Sequence, residues 1–142
     1  MDAKVNPDFW DLAEAIYARR APAIEPAALE HARRAWLDTL ACMVGGASEP
    51  ATRAAARATD TAGAEHMALL LGTASHALDY DDVCMLATCH PSAPVVSALL
   101  AGIDQRDSEV ALSDLLAAHL VGTEVMLRLG AWLGFGHYAL GF

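Results

Sequence analysis

Five polar side chains, His76, Asp79, Asp81, Asp82 and His90, fall within fifteen positions of a chain whose flanking segments are mainly Ala, Leu and Val, and Ser92 follows directly behind them. Clustered carboxylates raise one another's proton affinity, so one can hold a proton near neutral pH and act as an acid while an imidazole such as His90 serves as base or anion holder. Such a set suits proton abstraction beside a carboxylate or a carbonyl. If Leu78–Val83 is near-helical, Asp79 and Asp82 share a face, His76 joins Asp79 one turn earlier, and Asp81 projects elsewhere. The same residue types have a purely structural use. Asp and Ser favour caps, so any of the three aspartates could instead accept backbone N–H bonds of the next turn, and His90-Pro91-Ser92 could simply open a helix. His, Asp and Cys are also metal ligands, yet the spacing of His76, Asp79, Asp81 and Asp82 with Cys84 and Cys89 matches neither a zinc nor an EF-hand pattern. No metal is expected.

The elements that position this stretch are expected to be helices. The composition is 55% hydrophobic and rich in alanine, with few aromatic or clustered β-branched residues, which favours an all-α chain. Asn6-Pro7 signals a helix from about Pro7 to Arg20, with Phe9, Leu12, Ala13, Ile16 and Tyr17 as its stripe. Pro26 opens a second, with Leu29, Arg33, Trp36, Leu37, Leu40 and Val44 on its apolar face, which Gly45-Gly46 stops. A third, of low hydrophobicity, is expected from Ala51 to about Thr61. The apolar segment Ala64–Leu71 leads into the polar cluster. Beyond it a helix is expected from Val95 to about Gly102, then a polar loop over Asp104–Glu109. A last long helix is capped by Ser113 and carries Leu116, His119, Leu120, Thr123, Met126 and Leu127 as far as Gly130. The tail Gly130–Phe142 reads as a loop. No domain boundary, repeat or low-complexity linker emerges in the 142 residues, enough for one domain with a real core.

Eighteen acidic residues against nine basic ones give a formal charge of −9, which repels a phosphate backbone or an anionic membrane surface, so nucleic-acid binding is not expected. The paired arginines Arg33 and Arg34 read as solvated or bound to nearby carboxylates. No apolar run approaches the roughly 18 residues of a membrane span. Three cysteines, an odd count, and an amino terminus without a basic-then-apolar layout point to a reducing, cytoplasmic compartment.

The segment Gly72–Asp82, followed by His90-Pro91-Ser92-Ala93-Pro94-Val95-Val96 and then by Gly122–Gly130, resembles the MmgE/PrpD family. Ala35–Cys42 and Gly136–Phe142 extend the likeness in the right order. The family includes 2-methylcitrate dehydratase, cis-aconitate decarboxylase and iminodisuccinate epimerase, which act on small di- and tricarboxylates without an obligatory metal. The resemblance implies a large all-α domain, a smaller α+β lid domain, a homodimer and no cofactor. It places Asp79 and His90 at catalytic positions, in the Asp-aromatic-Asp-Asp and His-Pro-Ser motifs, with His76, Asp82 and Ser92 around the substrate. Leu71 stands where the family commonly has Asn, and the segment between Arg57 and Leu70 is shorter than usual. Family members run well past the position of Phe142, into a further active-site His, lysines and the lid. Residues 1–142 are therefore expected to be the amino-terminal portion of the helical domain, a lyase fragment inactive in isolation. The alternative is a non-catalytic helical remnant that self-associates through uncovered apolar faces.

Overall fold

The computed structural model describes residues 24–58, 63–105, 109–134 and 136. The expected helix Pro7–Arg20, the end of the third helix near Thr61 and most of the tail after Gly134 lie outside them. Among the described residues there are five helices and no strand: α1 Pro26–Gly46, α2 Pro50–Ala58, α3 Ala64–His76, α4 Ser92–Asp104 and α5 Leu112–Leu133. The all-α expectation holds, and no described helix is long and apolar enough to cross a membrane.

α1 begins at Pro26, whose fixed φ suits the first helical turn. Its buried positions are Ala32, Trp36, Thr39, Cys42, Met43 and Gly46, whereas Leu37 and Val44, expected on the apolar face, are 64% and 79% exposed. The side turned inward sets the small residues Ala32, Thr39, Cys42 and Gly46 between Trp36 and Met43, and the small ones let neighbouring backbones approach. Gly46 shows the reason: a Cβ there would collide with the carbonyl of Ala74 in α3. Gly45-Gly46 was expected as a stop signal, and α1 does end at Gly46, where it lies against the Ala74 backbone of α3. Thr52 of α2 donates its hydroxyl to the Gly46 carbonyl at 2.7 Å, and the Glu49 N–H donates to the same oxygen at 3.1 Å, so this helix-end acceptor is satisfied from the turn and from α2.

α3 packs between α1 and α4, and α5 lies against both α1 and α4. The core where they meet holds Ala32, Trp36, Met43, Val96 and Leu116, with Leu71, Leu99 and Leu120 packed around it. α3 runs past the expected Leu71 to His76 because its polar residues are locally satisfied: Thr73 donates to the Leu69 carbonyl and Ser75 to that of Gly72. α5 starts at Leu112 without a side-chain cap, so Ser113 is not the cap. It also continues through Gly130 to Leu133. That glycine does not end the helix; a Cβ on it would come within 2.6 Å of the Ala87 carbonyl oxygen, so it admits the loop that carries the polar cluster.

Gly46→Ala is expected to destabilise the chain by about 2 kcal/mol, since backbone must shift to relieve the clash. Gly102→Ala, in α4 with no atom within 4 Å of the added methyl, should stabilise by about 0.5–1 kcal/mol through helix propensity alone. Urea denaturation of the two variants checks the contrast.

Candidate functional site

The chain from Ala77 to Pro91 joins α3 to α4 without helix. A turn at its start, with the Asp79 N–H donating to the His76 carbonyl at 3.1 Å, puts Asp79 at φ 55°. That left-handed conformation is one Asp tolerates better than most residues. The near-helical expectation for Leu78–Val83 is therefore corrected, and with it the expected faces. Once the helix breaks at Asp79, Asp81 turns inward rather than elsewhere, and Asp82 binds Ser92 at the start of α4.

Asp81 has a fully buried side chain between two imidazoles. His76 Nδ1 donates to its Oδ1 at 2.9 Å, and His90 Nδ1 stands 3.3 Å from its Oδ2 but out of hydrogen-bond alignment, leaving that nitrogen without a bonded partner. The two rings meet edge to face, centroids 4.5 Å apart. Asp79, with a side chain 80% exposed, brings Oδ1 to 3.9 Å from His90 Nε2, within the one-water reach expected of a shared site. One ligand-type atom from each of His76, Asp79, Asp81 and His90 lies within 4.8 Å of the others. Two imidazoles and two carboxylates of this kind could also hold a divalent ion, a combination that the sequence spacing did not suggest because it set His76, Asp79 and Asp81 beside Asp82 and the cysteines rather than beside His90.

Asp82 and Ser92 face each other. The Asp82 carboxylate accepts the Ser92 N–H at 3.0 Å and the Ser92 hydroxyl at 2.5 Å, capping the start of α4 from ten residues away. Both residues, expected around a substrate, thus have these polar atoms committed to one another, and the capping use foreseen for an aspartate here falls to Asp82. Because the Ser92 proton goes to the carboxylate, His119 Nε2, 3.1 Å from Ser92 Oγ, carries the proton of that contact. Thr123 Oγ1 lies 3.5 Å from the same nitrogen, and the ring packs edge-on to Trp36. His119 and Thr123 were not among the expected site residues. Their one signal was a pair of polar positions, one helical turn apart, on an apolar helix.

A shallow groove of about 660 Å³ borders the cluster on the side of His76. Leu69, Gly72, Thr73 and Pro94 help to line it, and it includes no basic side chain other than His76. Among the described arginines, Arg34 and Arg128 pair with Glu30 and Glu124 one turn away, and Arg53 binds the Ser48 carbonyl.

With this geometry in hand, the comparisons are specific. The sequence profile of the MmgE/PrpD N-terminal domain matches residues 58–142, which include the whole polar cluster and α3 to α5. The chain belongs to the MmgE/PrpD family. Searches of characterised proteins and of solved structures found no match.

Burial holds His119 below its ordinary pKa, opposed in smaller measure by Asp82. The unfolded chain takes up a proton near pH 6.5 that the folded ring resists, so between the two values the unfolded state binds more protons and stability rises with pH. The contribution is lost as pH falls below about 6.5. The urea midpoint should therefore fall further between about pH 7.5 and 5.5 in the parent chain than in His119→Gln; equal falls would leave the buried ring no part in the pH response.

Proposed function

We propose that the chain supplies the amino-terminal part of a lyase site that acts by acid–base chemistry on a small di- or tricarboxylate, as a dehydratase, decarboxylase or epimerase. The observation that carries this reading is the convergence of His76, Asp79, Asp81 and His90 in a chain of this family. In this reading Asp81, buried between the two imidazoles, holds His76 by a hydrogen bond and stands 3.3 Å from His90 Nδ1. His90 moves the proton at Nε2, and Asp79, on the open side of that nitrogen, is its acid–base partner. His76 borders the groove where a substrate would rest, and Asp82 and Ser92 act by fixing the loop and the start of α4. No cofactor enters the proposed chemistry.

A polycarboxylate needs cations around it. Two carboxylates at close range repel by about 4 kcal/mol at an effective dielectric of 20, and no described Lys or Arg lies in the cluster or the groove. Positioning and electrostatic stabilisation supply most of a catalysed rate, so the cations are proposed to come from a further region of the kind longer family members carry. The 142-residue chain alone should show no turnover of 2-methylcitrate or cis-aconitate. Mixed with a polypeptide covering the rest of a family protein, it should show turnover of a di- or tricarboxylate that His90→Ala or Asp79→Asn abolishes. Turnover by the chain alone, lost in His90→Ala, would overturn the shared-site part of the proposal. No turnover of any di- or tricarboxylate by the mixture would overturn the lyase reading.

The second reading, a self-associating helical remnant, draws on the exposed apolar side chains Leu37 and Val44 on α1, Met85 and Leu86 in the loop, and Trp132 and Leu133 on α5. Faces of this kind associate in water. Sedimentation at micromolar concentration should give a dimer or larger species, and a concentration-independent monomer would speak against an assembly built on these faces.

A further inference from the structure

Cys84 and Cys89 stand opposite each other in an isolated antiparallel bridge at the neck of the loop between Asp82 and His90. They exchange both backbone bonds, Cys84 N–H to the Cys89 carbonyl at 2.8 Å and the reverse at 3.3 Å. Residues paired in this way have Cα atoms about 5.5 Å apart and side chains on the same face, inside the range of about 4.4–6.8 Å that a disulfide spans. Both thiols are free and both residues partly exposed, and the turn between them presents Met85 and Leu86 to solvent. The third cysteine, Cys42, is buried in α1.

We propose that Cys84 and Cys89 are a reversible dithiol–disulfide pair that closes the neck of the active-site loop by exchange with a small disulfide such as oxidised glutathione. One cysteine thiolate attacks a glutathione sulfur, and the glutathione S–S bond breaks with release of one glutathione thiolate. The second cysteine thiolate then attacks the protein-bound sulfur and expels the other glutathione thiolate. Two electrons pass from the cysteine pair to glutathione, and the two cysteine protons end on two glutathione thiols. Burial, then Cys84, then Asp82 hold the Cys89 thiol above its ordinary range, so exchange quickens as pH rises. An exposed bond of this kind belongs to the labile class that forms as the surroundings become oxidising and opens again when they are reducing. The two arms it joins lead on one side to Asp81 and Asp82 and on the other to His90 and Ser92, and the backbone pairing already sets their register. The pairing of the thiols does not depend on the lyase reading, because it is measured on the sulfur atoms.

The full chain is equilibrated with oxidised and reduced glutathione, natively and in guanidinium, then acid-quenched, unfolded, alkylated and digested with trypsin. No Lys or Arg lies between Arg57 and Arg106, so Cys84 and Cys89 share the peptide Ala58–Arg106, while Cys42 falls in Ala35–Arg53. The expected result is loss of two hydrogens and of both alkyl labels from the first peptide, with Cys42 still labelled. The native chain should hold the pair oxidised about tenfold more strongly than the denatured chain, because folding fixes the effective concentration of one thiol at the other. Full alkylation of both cysteines, bridges only to Cys42 or between chains, glutathione adducts without ring closure, or equal oxidation of native and denatured chains would each overturn the proposal.

Discussion

The carboxylate of Asp82 on the first residue of α4 is the interaction on which the site depends. It accepts both the Ser92 N–H and the Ser92 hydroxyl, so it meets an orphan donor of the helix start, lies at the favourable end of the helix dipole and fixes where the loop rejoins the bundle. The hydroxyl it holds receives in turn the contact from His119 of α5. One aspartate therefore ties together the loop, α4 and α5. Next to that tie, Asp81 lies buried between His76 at the end of α3 and His90 just before α4.

The all-α architecture and the position of the polar cluster were legible because they rest on local signals. Alanine-rich segments punctuated by proline read as helices, and a dense polar run in an apolar chain marks its own position. The arrangement inside that run was not legible. Helical spacing groups Asp79 with Asp82, whereas the chain breaks into a left-handed turn at Asp79 and brings Asp81 to the centre. A single positive φ decides which of three neighbouring aspartates is buried, and Asp-Tyr-Asp-Asp gives no local indication of it.

Two glycines have a use beyond chain termination. Gly46 ends α1, as the Gly45-Gly46 pair suggests, whereas Gly130 lies inside α5, and each stands where another stretch of backbone comes too close for a side chain. Likewise the face of α1 that turns inward carries Ala32, Thr39 and Gly46, while Leu37 and Val44 remain outside. Hydrophobic periodicity assigns the large side chains to the interior, which holds for Trp36 and Met43; between them, close helix approach selected small residues. His119 was obscured for a related reason, since its partner Ser92 is distant in sequence and only packing of α4 on α5 unites them.

The small-residue packing has a calorimetric consequence. The heat-capacity change of unfolding grows with the apolar area newly exposed to water and is reduced by exposed polar area. Around a core of Trp36, Met43, Val96 and Leu116, further buried positions are filled by Thr39, Gly46, Ala74, Ser75 and Ser97, and Leu37, Val44 and Trp132 are already in solvent, so there is less apolar area to expose than in a bundle of the same length joined by leucines throughout. The stability of these helices should consequently vary with temperature along a flatter, broader dome, with weaker cold destabilisation.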